Sequence, residues 1–79
     1  MWNQRESPSR LEKRFEFEAY STISKFMKKV EQLCEKYKMY PNISFGKNFV
    51  SITIFLSSEK VTKIEKDFSN QIDIFYLEI

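Results

Sequence analysis

Ile23-Ser24-Lys25-Phe26-Met27-Lys28-Lys29-Val30-Glu31-Gln32-Leu33-Cys34-Glu35-Lys36-Tyr37 is the stretch on which the fold turns. Its apolar members Ile23, Phe26, Met27, Val30, Leu33, Cys34 and Tyr37 recur at steps of three and four, which places them on one stripe of a helix. With Ser21 placed to cap the first turn and Pro41 standing beyond the end, the helix is expected over Ser21–Lys38. Its other face carries Lys25, Lys28, Lys29, Gln32 and Lys36, with Glu31 and Glu35 nearby. That mild positive face is either a solvated helix surface or a docking patch for an acidic partner.

Working outward, the period changes on both sides. Upstream, Leu11-Glu12-Lys13-Arg14-Phe15-Glu16-Phe17-Glu18 alternates apolar with charged, so Arg10–Glu18 is expected as a strand with one buried face. Downstream come a short strand Asn42–Phe45, a turn at Gly46-Lys47-Asn48, and a β-branched and aromatic strand Phe49–Ser57. In that last strand Val50, Ile52, Ile54 and Leu56 form the core face. Phe49 and Phe55 lie on the more polar face, suited to a subunit contact. Thr62-Lys63-Ile64-Glu65 reads as a capping box opening a second helix, with core stripe Ile64, Phe68, Ile72 and Phe75. The apolar tail Ile74–Ile79 either continues that helix or peels off as an extended segment.

Residues 1–9 read as an extended or mobile arm, and 10–79 as the single domain that a 79-residue chain can build. Trp2 in the arm is an anchor, either for the domain itself or for another protein. So small a chain buries a modest share of its surface, and pairing with further subunits is a standing expectation.

Composition excludes much chemistry. There is no histidine, which removes the commonest general base, Ser-His and Cys-His nucleophile pairs, and every His-containing zinc site. The single cysteine, Cys34, makes neither an internal disulfide nor a CxxC site; it reads as a small core residue in a protein of a reducing compartment. The formal charge of +2 is a poor footprint for a nucleic-acid binder. No apolar run approaches the roughly 18 residues of a membrane span, and the first ten residues are no secretory signal. The expected location is cytoplasmic, with no membrane partner.

The element order and lengths resemble the pterin-4a-carbinolamine dehydratase family over about Leu11 to Phe75. The phrases that carry this are Arg14-Phe15-Glu16-Phe17, Glu35-Lys36-Tyr37-Lys38-Met39-Tyr40-Pro41, Phe49-Val50-Ser51-Ile52-Thr53-Ile54, and Val61-Thr62 through Ile72-Asp73. The resemblance implies an α+β fold, an antiparallel sheet with two helices packed on one face, whose members associate through their sheets into dimers or tetramers. It also implies a site, and there the chain departs. The family carries two His before the proline that follows the long helix, a third His after the long strand, and an Asp opening the last helix. Those positions here read Met39 and Tyr40, Ser57, and Glu65.

Dehydrating a carbinolamine needs groups poised to move protons near neutral pH. Met39 has no proton to move, Tyr40 and Ser57 offer hydroxyls that are weak acids by residue type, and Glu65 is also the third residue of the capping box. No catalytic residue, cofactor or metal is expected.

The lead-in with Trp2, Arg5 and Pro8, together with Tyr40-Pro41-Asn42-Ile43-Ser44-Phe45-Gly46, is similar to the dehydratase-like proteins found beside alpha-carboxysome components. Those relatives lack the His set and are understood as Rubisco assembly or accumulation factors. The resemblance implies a carboxysome-associated chaperone that meets Rubisco, the large subunit first. Met39, Tyr40, Ser44, Phe45 and Trp2 are then the candidates for partner binding. Met39 and Tyr40 either form an adaptable, amphipathic cleft or fill the space of a vanished pterin site. Phe45 is either a binding or a sheet core residue, and Gly46 serves a turn that requires a positive φ. The rivals are residual dehydratase activity, binding of another small heterocycle, and nucleic-acid binding by the helix lysines with Phe49 and Phe55.

Overall fold

A computed structural model describes all of residues 1–79. In chain order the elements are β1 (Asn3–Arg5), β2 (Arg10–Glu16), α1 (Tyr20–Tyr37), β3 (Asn42–Phe45), β4 (Phe49–Phe55) and α2 (Lys63–Leu77). The strands form one antiparallel sheet in the order β1-β2-β4-β3, with both helices against one face. The expected α+β architecture is present. It gains one strand, β1, drawn from the lead-in and paired Asn3↔Glu12 to Arg5↔Arg10.

The alternation in β2 and β4 sets the layers. Leu11 and Phe15 register with Ile54 and Val50, so these residues and Ile52 share the helix-facing side of the sheet. Onto them pack Ile23, Phe26, Val30, Leu33 and Cys34 of α1, and Phe68 and Ile72 of α2, closing a core of twelve buried apolar residues. Leu56 is only half-buried, since β4 ends at Phe55 and the chain turns away. On the bare face, Phe49 is covered by the Arg14 guanidinium 4.0 Å from its ring centroid, while Phe55 stays exposed.

Several boundaries differ from expectation for local reasons. Helix α1 begins at Tyr20 with extended Ala19 as N-cap, and no side chain caps it; Ser21 already lies inside the first turn. The tail stays helical to Leu77, because Tyr76 packs in an aromatic cluster with Phe15, Phe17 and Phe26 and donates its hydroxyl to the Glu16 carbonyl at 2.7 Å. The core stripe of α2 holds at Phe68 and Ile72, both buried, and at half-buried Phe75, and departs at its first member: Ile64 is exposed and Glu65 is buried in its place, turned inward by the capping box.

Gly46 has no positive φ. A Cβ there would collide with the Phe49 ring, so close approach is what calls for glycine at this turn.

Candidate functional site

The end of α1 positions the first pair of candidates. Lys38 takes the left-handed conformation, φ 56°, and the Met39 amide donates to the Cys34 carbonyl at 3.1 Å, which ends the helix and reverses the chain. Pro41 then commits the backbone to the extended path of β3. After this reversal Met39 packs half-buried against the core while Tyr40 stands 73% exposed. Both line a shallow hollow of about 140 Å³ with Pro41, Ile54 and Phe55.

Ser57 lies two residues beyond Phe55 at the same end of the sheet, and there it meets Glu65. One carboxylate oxygen of Glu65 accepts from the Thr62 amide at 2.9 Å. The other accepts from the Ser57 amide at 3.0 Å and the Ser57 hydroxyl at 3.4 Å. The Glu65 amide in turn donates to the Thr62 hydroxyl at 3.4 Å, which completes the capping box. Burial pushes this carboxyl upward, but the hydrogen bonds from Thr62 and Ser57 outweigh it and leave the pKa below the ordinary glutamate value. At neutral pH Glu65 is therefore an ionised acceptor with both oxygens engaged, and has no proton to give. Nothing in the set Met39, Tyr40, Ser57 and Glu65 offers an acid and a base poised near neutrality.

The other candidates are spread over the molecule. Phe45 lies on the helix-facing side of β3, 51% exposed, with its ring 6.5 Å from that of Tyr20. Ser44 alternates to the opposite, bare face in register with Ser51. Trp2 sits on the helix-facing side at the opposite, β1 edge of the sheet, half-buried edge-on to Phe15, and donates its indole N–H to Asp73 at 3.1 Å. Lys13 pairs with the same Asp73 oxygen at 2.8 Å, so Asp73 fastens the arm to both layers. The sequence marks no role for Asp73; its place next to core Ile72 and one turn along α2 from Ser69 is the available signal. Cys34 is buried in the core, and burial pushes its thiol pKa up, away from reactivity.

No group of three or more His, Cys, Asp or Glu side chains is close enough to hold a metal ion, and no helix is long and apolar enough to cross a membrane.

This fold, a four-stranded antiparallel sheet with two helices on one face, is that of a dehydratase scaffold. The chain belongs to the pterin 4 alpha carbinolamine dehydratase family, whose pattern it matches over residues 1–73. Among solved structures it is similar to a pterin dehydratase-like protein identified as a RuBisCO assembly factor in the alpha-carboxysome. That match has a TM-score of 0.87 and 29% identity, covering 95% of this chain and 88% of the other. It is similar in fold to a transcriptional coactivator/pterin dehydratase from Brucella melitensis, with a TM-score of 0.83 and 21% identity, covering 95% of this chain and 81% of that one. No curated protein sequence matches it.

Proposed function

We propose that this protein is a non-enzymatic Rubisco assembly factor of the alpha-carboxysome, built on a dehydratase scaffold that has lost its acid-base set. One observation carries the reading. The only carboxylate at the old catalytic positions, Glu65, spends both oxygens on backbone and hydroxyl donors, while Met39, Tyr40 and Ser57 replace the groups that would move protons. The likeness to a RuBisCO assembly factor at 29% identity supports the choice of partner. The proposal places the protein in the cytoplasm with the carboxysome, as a homodimer or larger assembly joined through its sheet, holding the Rubisco large subunit.

Tyr40, Met39 and Phe45 are the residues proposed to touch that partner, with Ser44 at the rim. Trp2 acts from a distance, by holding the arm against the domain. Because Tyr40 is largely exposed, Tyr40→Ala is expected to leave thermal stability within about 0.5 kcal/mol of wild type. It should weaken co-purification with the large subunit. Loss of folding in that variant, or unchanged co-purification, would count against Tyr40 as a contact.

Membership of a dehydratase family favours a second reading, residual turnover of a pterin carbinolamine or binding of a related heterocycle. Turnover above the spontaneous rate in a carbinolamine dehydration assay would establish it; the absence of His and the engaged state of Glu65 predict none.

A further inference from the structure

Strand β2 reads Arg10-Leu11-Glu12-Lys13-Arg14-Phe15-Glu16, and its two faces differ in character. Leu11, Lys13 and Phe15 point to the helices, while Arg10, Glu12, Arg14 and Glu16 alternate in sign along the bare face. Laid antiparallel against a second copy of itself about Lys13, the strand is complementary along its length. Arg10 then stands opposite Glu16, Leu11 opposite Phe15, and Glu12 opposite Arg14. Lys13 faces its own counterpart, with its charge already met by Asp73 at 2.8 Å. A contact across a two-fold axis requires this self-complementary character.

One side of β2 is paired throughout with β4, from Arg10↔Phe55 to Glu16↔Phe49. On the other side β1 covers only residues 10–12, and residues 13–16 carry no further strand. That cover is a poor match: Arg5 lies opposite Arg10, and both draw on Glu12, at 3.4 Å and 2.8 Å. Arg10 is also occupied by the turn, donating to the carbonyls of Glu6 and Pro8. What holds the arm is Trp2, edge-on to Phe15 with 5.9 Å between ring centroids and hydrogen-bonded to Asp73. Behind it Ser7 sits at φ 60°, a left-handed conformation costly for any residue with a side chain, which an extended arm would shed.

We propose that β2 is a masked association strand: when the arm leaves, its edge pairs antiparallel with β2 of a second copy about Lys13, and Trp2 on Asp73 is the latch that keeps this contact shut. Three residue pairs with like charges opposed give way to a longer ladder with opposite charges opposed. The β3 edge and the bare face stay free for whatever association the closed protein makes, so opening the arm enlarges the assembly. The proposal rests on the reading of an assembly joined through the sheet, and names one strand of it and the gate on that strand.

The test is sedimentation velocity on the full chain, with circular dichroism confirming the fold of each variant. Trp2→Ala removes both the ring contact and the hydrogen bond, and should tighten self-association on the order of tenfold relative to wild type. Trp2→Phe keeps a ring and drops only the bond to Asp73; it should act in the same direction by less, and carries the test if Trp2→Ala does not fold. Added to either Trp2 variant, Arg14→Glu sets like charges opposite Glu12 in both symmetry-related pairs and should weaken the new contact on the order of tenfold. The double exchange E12R/R14E restores opposite signs and should recover it. Self-association unchanged in the Trp2 variants, insensitive to Arg14→Glu, or not recovered by the double exchange would overturn the proposal. A monomeric wild type whose Trp2 variants pair in this charge-dependent way would support the β2 contact and remove the assembly of the intact protein. An oligomeric wild type unmoved by either Trp2 substitution would keep that assembly and overturn the β2 contact.

Discussion

Glu65 ties two elements together through one side chain. Its carboxylate joins the end of β4 to the start of α2 through Ser57 and Thr62, a task for which ionisation is useful and proton donation is not. Glu65→Gln leaves one of the facing amides opposite an NH₂ group, and is expected to cost about 1–2 kcal/mol in urea unfolding at pH 7. The pH dependence has a definite sign. The folded pKa is below the unfolded one, so this contribution is complete above the unfolded value of about 4.3 and is lost as pH falls through the folded value. Wild type and Glu65→Gln should therefore converge in stability in acid; a constant gap down to acid pH would contradict the assignment. Glu12, held low chiefly by its hydrogen bond from Arg10, acts with the same sign and is the control. Lys38 makes the opposite case. In the left-handed conformation at φ 56° its side chain is a burden, and Lys38→Gly is expected to raise stability by about 0.5–1 kcal/mol in the same measurement.

At the scale of elements, α2 is held at both ends by side chains that reach the sheet. The N-terminal end has Glu65, and the C-terminal end has Tyr76, whose hydroxyl donates to the Glu16 carbonyl. Tyr76→Phe keeps the ring among Phe15, Phe17 and Phe26 and deletes only that bond, so a loss of about 0.5–1.5 kcal/mol is expected. Faster amide exchange confined to the last turn of α2 would be its local mark.

These tethers also explain which parts of the fold were legible in the sequence. Periodicity found α1, because Ile23, Phe26, Val30, Leu33 and Cys34 are all buried, and alternation found the core face of β4 at Val50, Ile52 and Ile54. It placed Phe68 and Ile72 of α2 correctly and missed only the first turn, where Ile64 is exposed and Glu65 buried, since a glutamate reads as polar until its four hydrogen bonds are seen. The fate of the arm and the tail depends on contacts 60 and 71 residues apart, Tyr76 with Glu16 and Trp2 with Asp73, which no local window contains. At the candidate site, Met39, Tyr40, Ser57 and Glu65 were visible as positions. That Ser57 and Glu65 bond to each other, while Tyr40 stands clear of both in solvent, required the fold.

At the scale of the whole molecule, the protein divides its surfaces by sheet edge and face. The β1 side is closed by Trp2 on Asp73 and by the ion pairs of Arg5 and Arg10 with Glu12. The β3 side is open, with Tyr40, Phe45 and a groove beneath α1. Exposed aromatics gathered along one edge are the kind of surface that contacts a protein partner. The measurement that tests this most directly is co-expression of carboxysomal Rubisco subunits with and without this protein, with assembled enzyme read on a native gel. The account predicts more assembled Rubisco in its presence, with the protein co-migrating with an assembly intermediate. Unchanged assembly and no co-migration would contradict it.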